Sequence, residues 1–92
     1  MYLEIVSPEA TLFSGEVTSV TVPGINGEFQ MLQGHAPVVS LLQEGAVKVE
    51  GNITIEEAYE NKFSKDATGK TTLAITSGTI EMKDNKVIVL AD

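Results

Sequence analysis

The only histidine is the side chain in this sequence best suited to proton transfer. His35 follows Gly34 and lies two residues before Pro37, and this surrounding favours a turn with an exposed imidazole. One histidine cannot form a histidine-rich metal site, and none of the six serines lies in the G-x-S-x-G turn that supports a nucleophile. The sequence therefore favours a contact or turn role for His35 over catalysis.

A second candidate is a stretch that ends like a phosphate-binding loop. Residues 64–71 read S-K-D-A-T-G-K-T, whereas the motif G-x-x-x-x-G-K-[ST] begins with a glycine and continues into a helix. Ser64 occupies the position of that first glycine, and no clear helical pattern follows Thr71. The stretch therefore predicts a polar hairpin loop in which Gly69 turns the chain.

A lysine near a predicted turn keeps an alternative function open. Glu81, Met82 and Lys83 resemble the methionine-lysine-methionine motif of biotin carrier domains, but Asp84 stands where the second methionine belongs. A small β carrier domain, or a small β module that binds a ligand on an exposed face, are the two alternatives. The chain has no cysteine and its acid pairs lack the spacing of a calcium loop, so we expect no metal site and no cofactor.

Short β-strands must position these residues. Apolar side chains recur mostly with period two and are rich in valine, isoleucine and threonine, which suit a half-buried sheet. Turn residues separate the runs at short intervals, which favours antiparallel pairing because parallel strands need long crossovers. We expect an all-β fold, a two-sheet antiparallel sandwich or flattened barrel of about 8 to 10 short strands. The predicted strands are residues 2–6, 16–22, 27–32, 46–50, 52–55, 71–76, 79–83 and 86–90.

One segment departs from this pattern. Residues 56–70 carry no clear strand signal, and Tyr59 and Phe63 are four residues apart, which would place both rings on one face of a short helix. The same residues could form a protruding hairpin. We therefore expect one domain over residues 1–92, with a longer variable hairpin or a short helix near residues 56–70.

Size and charge exclude several classes of function. A chain of 92 residues forms a thin core with little room for a deep catalytic pocket, so a non-catalytic binding or assembly module is favoured. The net charge of −7 would repel nucleic acid and an anionic lipid surface, and all six basic residues are lysines. No signal peptide opens the chain and no apolar run approaches the roughly 20 residues that span a bilayer, which predicts a cytoplasmic protein.

A series of motifs in order resembles one known family. The motifs S-P-E, L-F-S-G-E-V, G-E-F, G-H-A-P, S-G and V-I-V-L-A-D occupy residues 7–9, 12–17, 27–29, 34–37, 77–78 and 87–92. Together they resemble the N-terminal β domain of the epsilon subunit of F-type rotary ATP synthases, whose mitochondrial counterpart is called delta. The resemblance covers the chain except for roughly residues 50–70, and G-E-F followed by G-H-A-P at this spacing is a specific signature.

The resemblance implies a two-sheet sandwich and a role in the central stalk. Members of this family are non-catalytic rotor subunits that bind the gamma subunit and the ring of c subunits, so that ion-driven rotation of the ring is coupled to ATP synthesis. Such a subunit is peripheral to the cytoplasmic side of the inner (plasma) membrane and reaches the membrane only through the complex. The resemblance places the ring contact at Asn26, Gly27 and Glu28, and it places Ser7, Leu12, His35 and Pro37 on or near the surface that meets gamma and the ring.

The chain also departs from the family pattern. Gln30, Gln33, Glu44 and Thr79 stand where the family usually has glycine, proline, proline and glycine, so the backbone at these positions is harder to predict. The helical hairpin that normally follows the L-A-D motif of the family is absent from this sequence. We therefore expect neither the inhibition nor the ATP binding that the resemblance attributes to that hairpin.

Overall fold

The computed structural model describes all 92 residues. It contains ten strands and one short 3₁₀ helix, joined by turns and loops. The strands make one curled sheet that folds over into two layers. The first layer contains β1 (Tyr2–Val6), β2 (Thr11–Glu16), β5 (Val38–Leu42), β9 (Gly78–Lys83) and β10 (Lys86–Ala91). The second layer contains β3 (Ser19–Gly24), β4 (Gly27–Leu32), β6 (Gly45–Glu50), β7 (Phe63–Lys65) and β8 (Thr71–Ile75). The expected all-β fold of short strands is confirmed.

The two layers are continuous through β3. The strand order is β2-β1-β10-β9-β5-β3-β6-β8-β7, and β4 pairs with the other edge of β3. The layers join where Gly24 of β3 pairs with Leu42 of β5. Most strands alternate between buried and exposed side chains, so that one side of each layer faces the interior. The inner sides meet in a single core of 19 buried apolar residues, among them Leu3, Ile5, Val20, Val22, Met31, Val47, Ile80, Met82, Val87 and Val89.

One strand pair is parallel. β1 lies beside β10 with Tyr2 opposite Lys86 and Val6 opposite Leu90, whereas every other pair in the sheet is antiparallel. The expectation of antiparallel pairing therefore fails at this position. The reason is that the connection between β1 and β10 is the rest of the domain, which is far longer than the crossover that parallel strands need.

Several strand boundaries differ from the prediction. The strand predicted at residues 16–22 is wrong at its start, because β2 ends at Glu16 and β3 begins at Ser19. The strand predicted at residues 52–55 is also wrong, since these residues form an irregular connection. Three strands, β2, β5 and β7, were not among the predicted ones. In β2 the pairing with β1 shifts register after Ile5, so that Leu12 and Phe13 are both buried and the period-two signal is interrupted.

Residues 56–70 form a short helix, one short strand and a loop. A 3₁₀ helix spans Glu57–Lys62, and the chain then forms the hairpin of β7 and β8. Tyr59 and Phe63 are both partly buried and pack against the core, although Phe63 lies in β7 rather than in the helix. The two rings attach this segment to the second layer.

Candidate functional site

The outer face of the first layer carries three of the five large apolar side chains that the fold leaves exposed. Val39 is 77% exposed, Leu41 58% and Leu90 50%, although residues of this size are usually at least half hidden. Ile25 in the β3–β4 turn is also 50% exposed. We call these four residues, together with the half-buried Ile88, the apolar face.

The strand register brings these side chains together. Leu41 pairs with Thr79, Thr79 pairs on its other side with Leu90, and Leu90 pairs with Val6. Adjacent strands lie about 4.8 Å apart, so this row crosses four strands over roughly 14 Å. A second row contains Val39, Glu81, Ile88 and Glu4, and it runs parallel to the first. The apolar face is therefore one continuous patch whose second row also carries two carboxylates, those of Glu81 and Glu4.

The β3–β4 turn closes one end of the apolar face. The backbone N–H of Ile25 donates a hydrogen bond to the carbonyl oxygen of Leu41 at 3.2 Å. Ile25, Leu41, Thr79 and Leu90 line a shallow hollow that also includes Asp92. A contiguous exposed apolar patch with a polar rim is typical of a surface that binds another protein. The arrangement offers no pair of groups for acid–base catalysis, and no cluster of three metal-ligating side chains occurs in the structure.

The outer face of the second layer has a different character. Lys48 Nζ lies 3.2 Å from Glu28 Oε2, and Ser19 donates a hydrogen bond to Glu50 Oε1 at 3.2 Å. Thr21, which lies between β4 and β6, is buried. Most polar groups on this face therefore find partners within the chain. Leu32, 53% exposed, is the large apolar residue that remains open there.

The predicted ring-contact residues lie at the β3–β4 turn. Ile25 and Asn26 form the tip, and Gly27 has a φ of +122°, which a residue with a side chain rarely adopts. Asn26, Gly27 and Glu28 are all exposed. The Glu28 side chain is 53% exposed and forms the ion pair with Lys48, so its carboxylate is accessible but already paired. The sequence contained no signal for this pair, because the partners lie 20 residues apart on strands that do not adjoin.

Ser7 and Leu12 lie in and after the β1–β2 connection, at the same end of the molecule as the β3–β4 turn. Ser7 lines an open cleft with Leu12 and Asp92, and Asp92 also borders the hollow beside Ile25. The backbone of Ser7 is held by reciprocal hydrogen bonds with Ala10 at 2.8 and 3.3 Å. Leu12 is only 6% exposed and belongs to the core, so its side chain stabilises this end of the domain by packing in the interior.

His35 and Pro37 lie at the opposite end. Both are exposed and follow β4, whereas Asn26 and Gly27 precede or begin it. A strand of six residues extends about 20 Å, so the structure does not bring the two groups together. The His35 ring nitrogen Nδ1 lies 2.7 Å from the carbonyl oxygen of Ala36.

The structure also describes the residues of the other hypotheses. Asp66 accepts hydrogen bonds from the Thr68 hydroxyl at 2.7 Å and from the backbone N–H groups of Thr68 and Lys70 at 2.9 and 3.0 Å, which closes the β7–β8 loop on itself. The Thr68 hydrogen bond is the main reason why the pKa of Asp66 lies below its ordinary value. Gly69 turns the chain with a φ of +88°, as the hairpin interpretation predicts. Lys83 is exposed at the end of β9.

Sequence reasoning missed the apolar face. Val39 and Leu41 lie in β5, which was not predicted, because apolar residues occupy both sides of the run at residues 38–42 and hide its period. The available signal was the run itself, which is bounded by Pro37 and by the turn before Gly45. A strand with apolar side chains on both faces leaves one set of them exposed unless both faces are covered.

Comparisons with known proteins agree on one family. The family model described as "ATP synthase, Delta/Epsilon chain, beta-sandwich domain" matches residues 1–92. An ATP synthase epsilon chain of Chlorobaculum tepidum is 37% identical over 90 residues, which cover 98% of this chain and 86% of that protein. The epsilon chain of Wolinella succinogenes is 41% identical over 91 residues, which cover 98% of this chain and 58% of the relative. The chain thus spans most of the length of some relatives and under two thirds of others.

Solved structures show a similar fold. A chain from the central stalk and c-ring structure of the Tetrahymena thermophila mitochondrial ATP synthase aligns with a TM-score of 0.73 at 13% identity, covering 99% of this chain and 62% of that chain. A chain of the Euglena gracilis mitochondrial ATP synthase aligns with a TM-score of 0.72 at 22% identity, covering 97% of this chain and 48% of that one. None of the helical segments here has the length and apolar character that a bilayer-spanning helix requires.

Proposed function

The chain belongs to the delta/epsilon β-sandwich family of ATP synthase subunits, and on this premise we propose that it is a non-catalytic subunit of the rotor. It binds the gamma subunit and the c-subunit ring, and it couples ion-driven rotation of the ring to ATP synthesis in the catalytic head. It lies on the cytoplasmic side of the inner (plasma) membrane and associates with the membrane only through the complex. It requires no cofactor of its own.

The observation that carries this proposal is the apolar face on a chain of this family. Val39, Leu41 and Leu90 would remain in water in an isolated domain, and burial of such side chains is worth about 25 cal/mol per Å² of apolar area. A rotor subunit needs at least one wide contact with its neighbours, because torque must pass through it without slip. The apolar face supplies that contact, and we assign it to gamma.

The ring contact is assigned to the β3–β4 turn. This turn protrudes at one end of the domain, carries the exposed Asn26 and Glu28, and is short enough to be stiff. Glu28 offers a carboxylate to the polar or basic loops of the ring, while Lys48 holds that carboxylate against the sheet. Ile25 joins the turn to the apolar face, so the two contacts form one continuous surface.

Stiffness follows from the sheet. All ten strands are hydrogen bonded to at least one neighbour, and 42 backbone hydrogen bonds lie within the regular elements. The closed core leaves no hinge between the two layers, which meet at the pairing of Gly24 with Leu42. Such a body transmits a turning force from the ring contact to the gamma contact without deforming.

The test is reconstitution with the gamma subunit of the same organism. We expect a one-to-one complex by size exclusion with light scattering at about 10 μM, which corresponds to a Kd below that range. The complex with gamma should then bind detergent-solubilised c-ring more tightly than the isolated chain does. Elution of the chain alone at this concentration would contradict the proposal. It would favour the ligand-binding alternative, in which a small molecule raises the melting temperature of the free domain.

A further inference from the structure

The loop that carries His35 is fastened to the rest of the domain by a distant side chain. The backbone N–H of Gly34 donates a hydrogen bond to Asn85 Oδ1 at 3.0 Å, across 51 residues of sequence. Beside it, the ammonium group of Met1 donates to Gln33 Oε1 at 2.7 Å. The base of the loop is therefore held at two adjacent residues, by the chain start before β1 and by the turn between β9 and β10.

The turn that contains Asn85 does not by itself explain why this position carries an asparagine side chain. Asp84 and Asn85 connect β9 to β10 with φ values of 51° and 62°, the two positive angles of a type I′ hairpin. Glycine meets this backbone requirement as well as asparagine does, or better. The turn alone thus does not explain the asparagine side chain, whose oxygen reaches Gly34 instead of closing the turn.

The loop beyond this anchor has a defined shape. The His35 N–H donates to the carbonyl oxygen of Leu32 at 3.0 Å, and Gly34 has a φ of +75°. His35 Nδ1 lies 2.7 Å from the carbonyl oxygen of Ala36. A carbonyl can only accept a hydrogen bond, so in the neutral ring Nδ1 carries the proton and Nε2 is left as an acceptor. The imidazole is exposed, and Nε2 is free to meet a donor on another molecule.

We propose that Asn85 is a positioning residue that holds residues 33–37 as a preformed contact element, which presents His35 Nε2 as an acceptor to a hydrogen-bond donor of a protein partner. This inference rests on the proposed function, since it takes gamma as the partner. A loop that is already ordered binds more tightly than a mobile one, because less conformational freedom is lost on association. The element lies about 20 Å from the β3–β4 turn, so it extends the contact with gamma toward the end of the domain opposite the ring contact.

The first experiment measures amide hydrogen exchange of Gly34 in the free wild-type chain and in three variants. Asn85→Gly keeps the turn and removes the acceptor, and we expect the Gly34 amide to exchange about tenfold faster. Asn85→Asp retains a side-chain oxygen acceptor and should exchange at the wild-type rate. Asp84→Gly is the matched control, because it introduces the same glycine into the same turn and leaves the Asn85 oxygen in place.

The second experiment measures affinity for gamma by titration calorimetry. We expect Asn85→Gly to weaken binding about fivefold, with Asn85→Asp and Asp84→Gly within twofold of wild type. His35→Ala should weaken binding by a similar factor, whereas His35→Gln, which can place a carbonyl oxygen near the position of Nε2, should restore most of it.

The outcomes separate the inference from the proposed function. Unchanged exchange at Gly34 in Asn85→Gly would overturn the anchor. Faster exchange with unchanged affinity for gamma would overturn the contact element. If the wild-type chain does not bind gamma, the proposed function fails and the contact element fails with it, while the exchange rates still establish whether Asn85 anchors the loop.

Discussion

The outer faces of the two layers arise from the same alternation of side chains along the strands, but one face is apolar and the other is polar. On the first layer the outward positions of β5 and β10 carry Val39, Leu41 and Leu90, all of which are exposed. On the second layer the outward positions of β4 and β6 carry Glu28 and Lys48, which pair with each other. One face leaves large apolar side chains in contact with water, whereas the polar groups of the other face largely pair within the chain. This difference is the reason for assigning the proposed gamma contact to the first layer.

The largest expected effect compares the inside of the first layer with its outside. Ile80 and Leu41 lie on adjacent strands, but Ile80 is 1% exposed and Leu41 is 58% exposed. Replacing a fully buried isoleucine by alanine removes buried area and leaves a cavity, so Ile80→Ala should lower the free energy of unfolding by about 2 to 5 kcal/mol. Leu41→Ala should change it by less than about 0.5 kcal/mol. Urea denaturation followed by circular dichroism measures both.

A large loss of stability in Leu41→Ala would show that the apolar face is already covered in the free chain. The most direct cause would be self-association. Sedimentation equilibrium of the wild-type chain is the matching control, and we expect a monomer, because a net charge of −7 opposes the approach of two copies.

The second prediction places the same charge on each face. Leu41→Asp should weaken binding to gamma by at least about 30-fold, since it puts a carboxylate at the centre of the proposed contact. Gln30→Asp creates the same side chain at an exposed position of β4 on the second layer, and it should stay within twofold of wild type. Calorimetry with gamma measures both affinities. Equal losses in the two variants would mean that gamma does not distinguish the faces.

The sequence predicted the class of fold from local chemistry alone. Alternating apolar residues and turn residues are local signals, and they identified six of the ten strands to within one residue at each end, including β1, β4 and β10. The sequence could not show which segments pair with each other, because pairing depends on residues that are distant along the chain. Residues 52–55 alternate like a strand, and Ile53 and Ile55 do pack against the core, but no strand of the domain pairs with their backbone.

The break between β2 and β3 has the same kind of cause. Residues 16–22 are rich in valine and threonine and read as one strand, although Thr18 and Ser19 interrupt the alternation. The backbone N–H of Val17 donates to the carbonyl oxygen of Met1 and that of Thr18 to the carbonyl oxygen of Glu50, so tertiary contacts fix the boundary at this interruption. The candidate site shows the same limit. The motifs identified the exposed turn at Asn26 and the loop at His35, whereas the apolar face depends on the register of β5 against β9 and β10.

The third prediction concerns the ion pair on the second layer. Glu28→Lys replaces the carboxylate by an ammonium beside Lys48 and reverses the charge offered to the ring, so binding of the gamma complex to the c-ring should weaken about fivefold at low salt. The loss should shrink at high salt, because exposed charges are screened. Glu57→Lys makes the same change in the 3₁₀ helix and is the control. If wild type and Glu28→Lys bound the ring equally at every salt concentration, Glu28 would have no place in the interface.

The smallest expected effect concerns Asp66, whose carboxylate is hydrogen bonded within the β7–β8 loop of the second layer. Asp66 is exposed enough to be well hydrated, yet the hydrogen bond from the Thr68 hydroxyl lowers its pKa, and those from the backbone of Lys70 and Thr68 and the charge of Lys48 act in the same direction. A carboxyl group with a depressed pKa in the folded state stabilises the fold above its unfolded pKa of about 3.9, and this contribution is lost as the pH falls through the lower folded value. Asp66→Asn should therefore be slightly less stable than wild type at pH 7, and urea midpoints should converge as the pH falls below about 3.9.

Thr68→Val removes the same hydroxyl donor without removing the charge and should reproduce part of the difference. A constant gap between Asp66→Asn and wild type down to pH 2 would mean that the charge of Asp66 does not stabilise this loop.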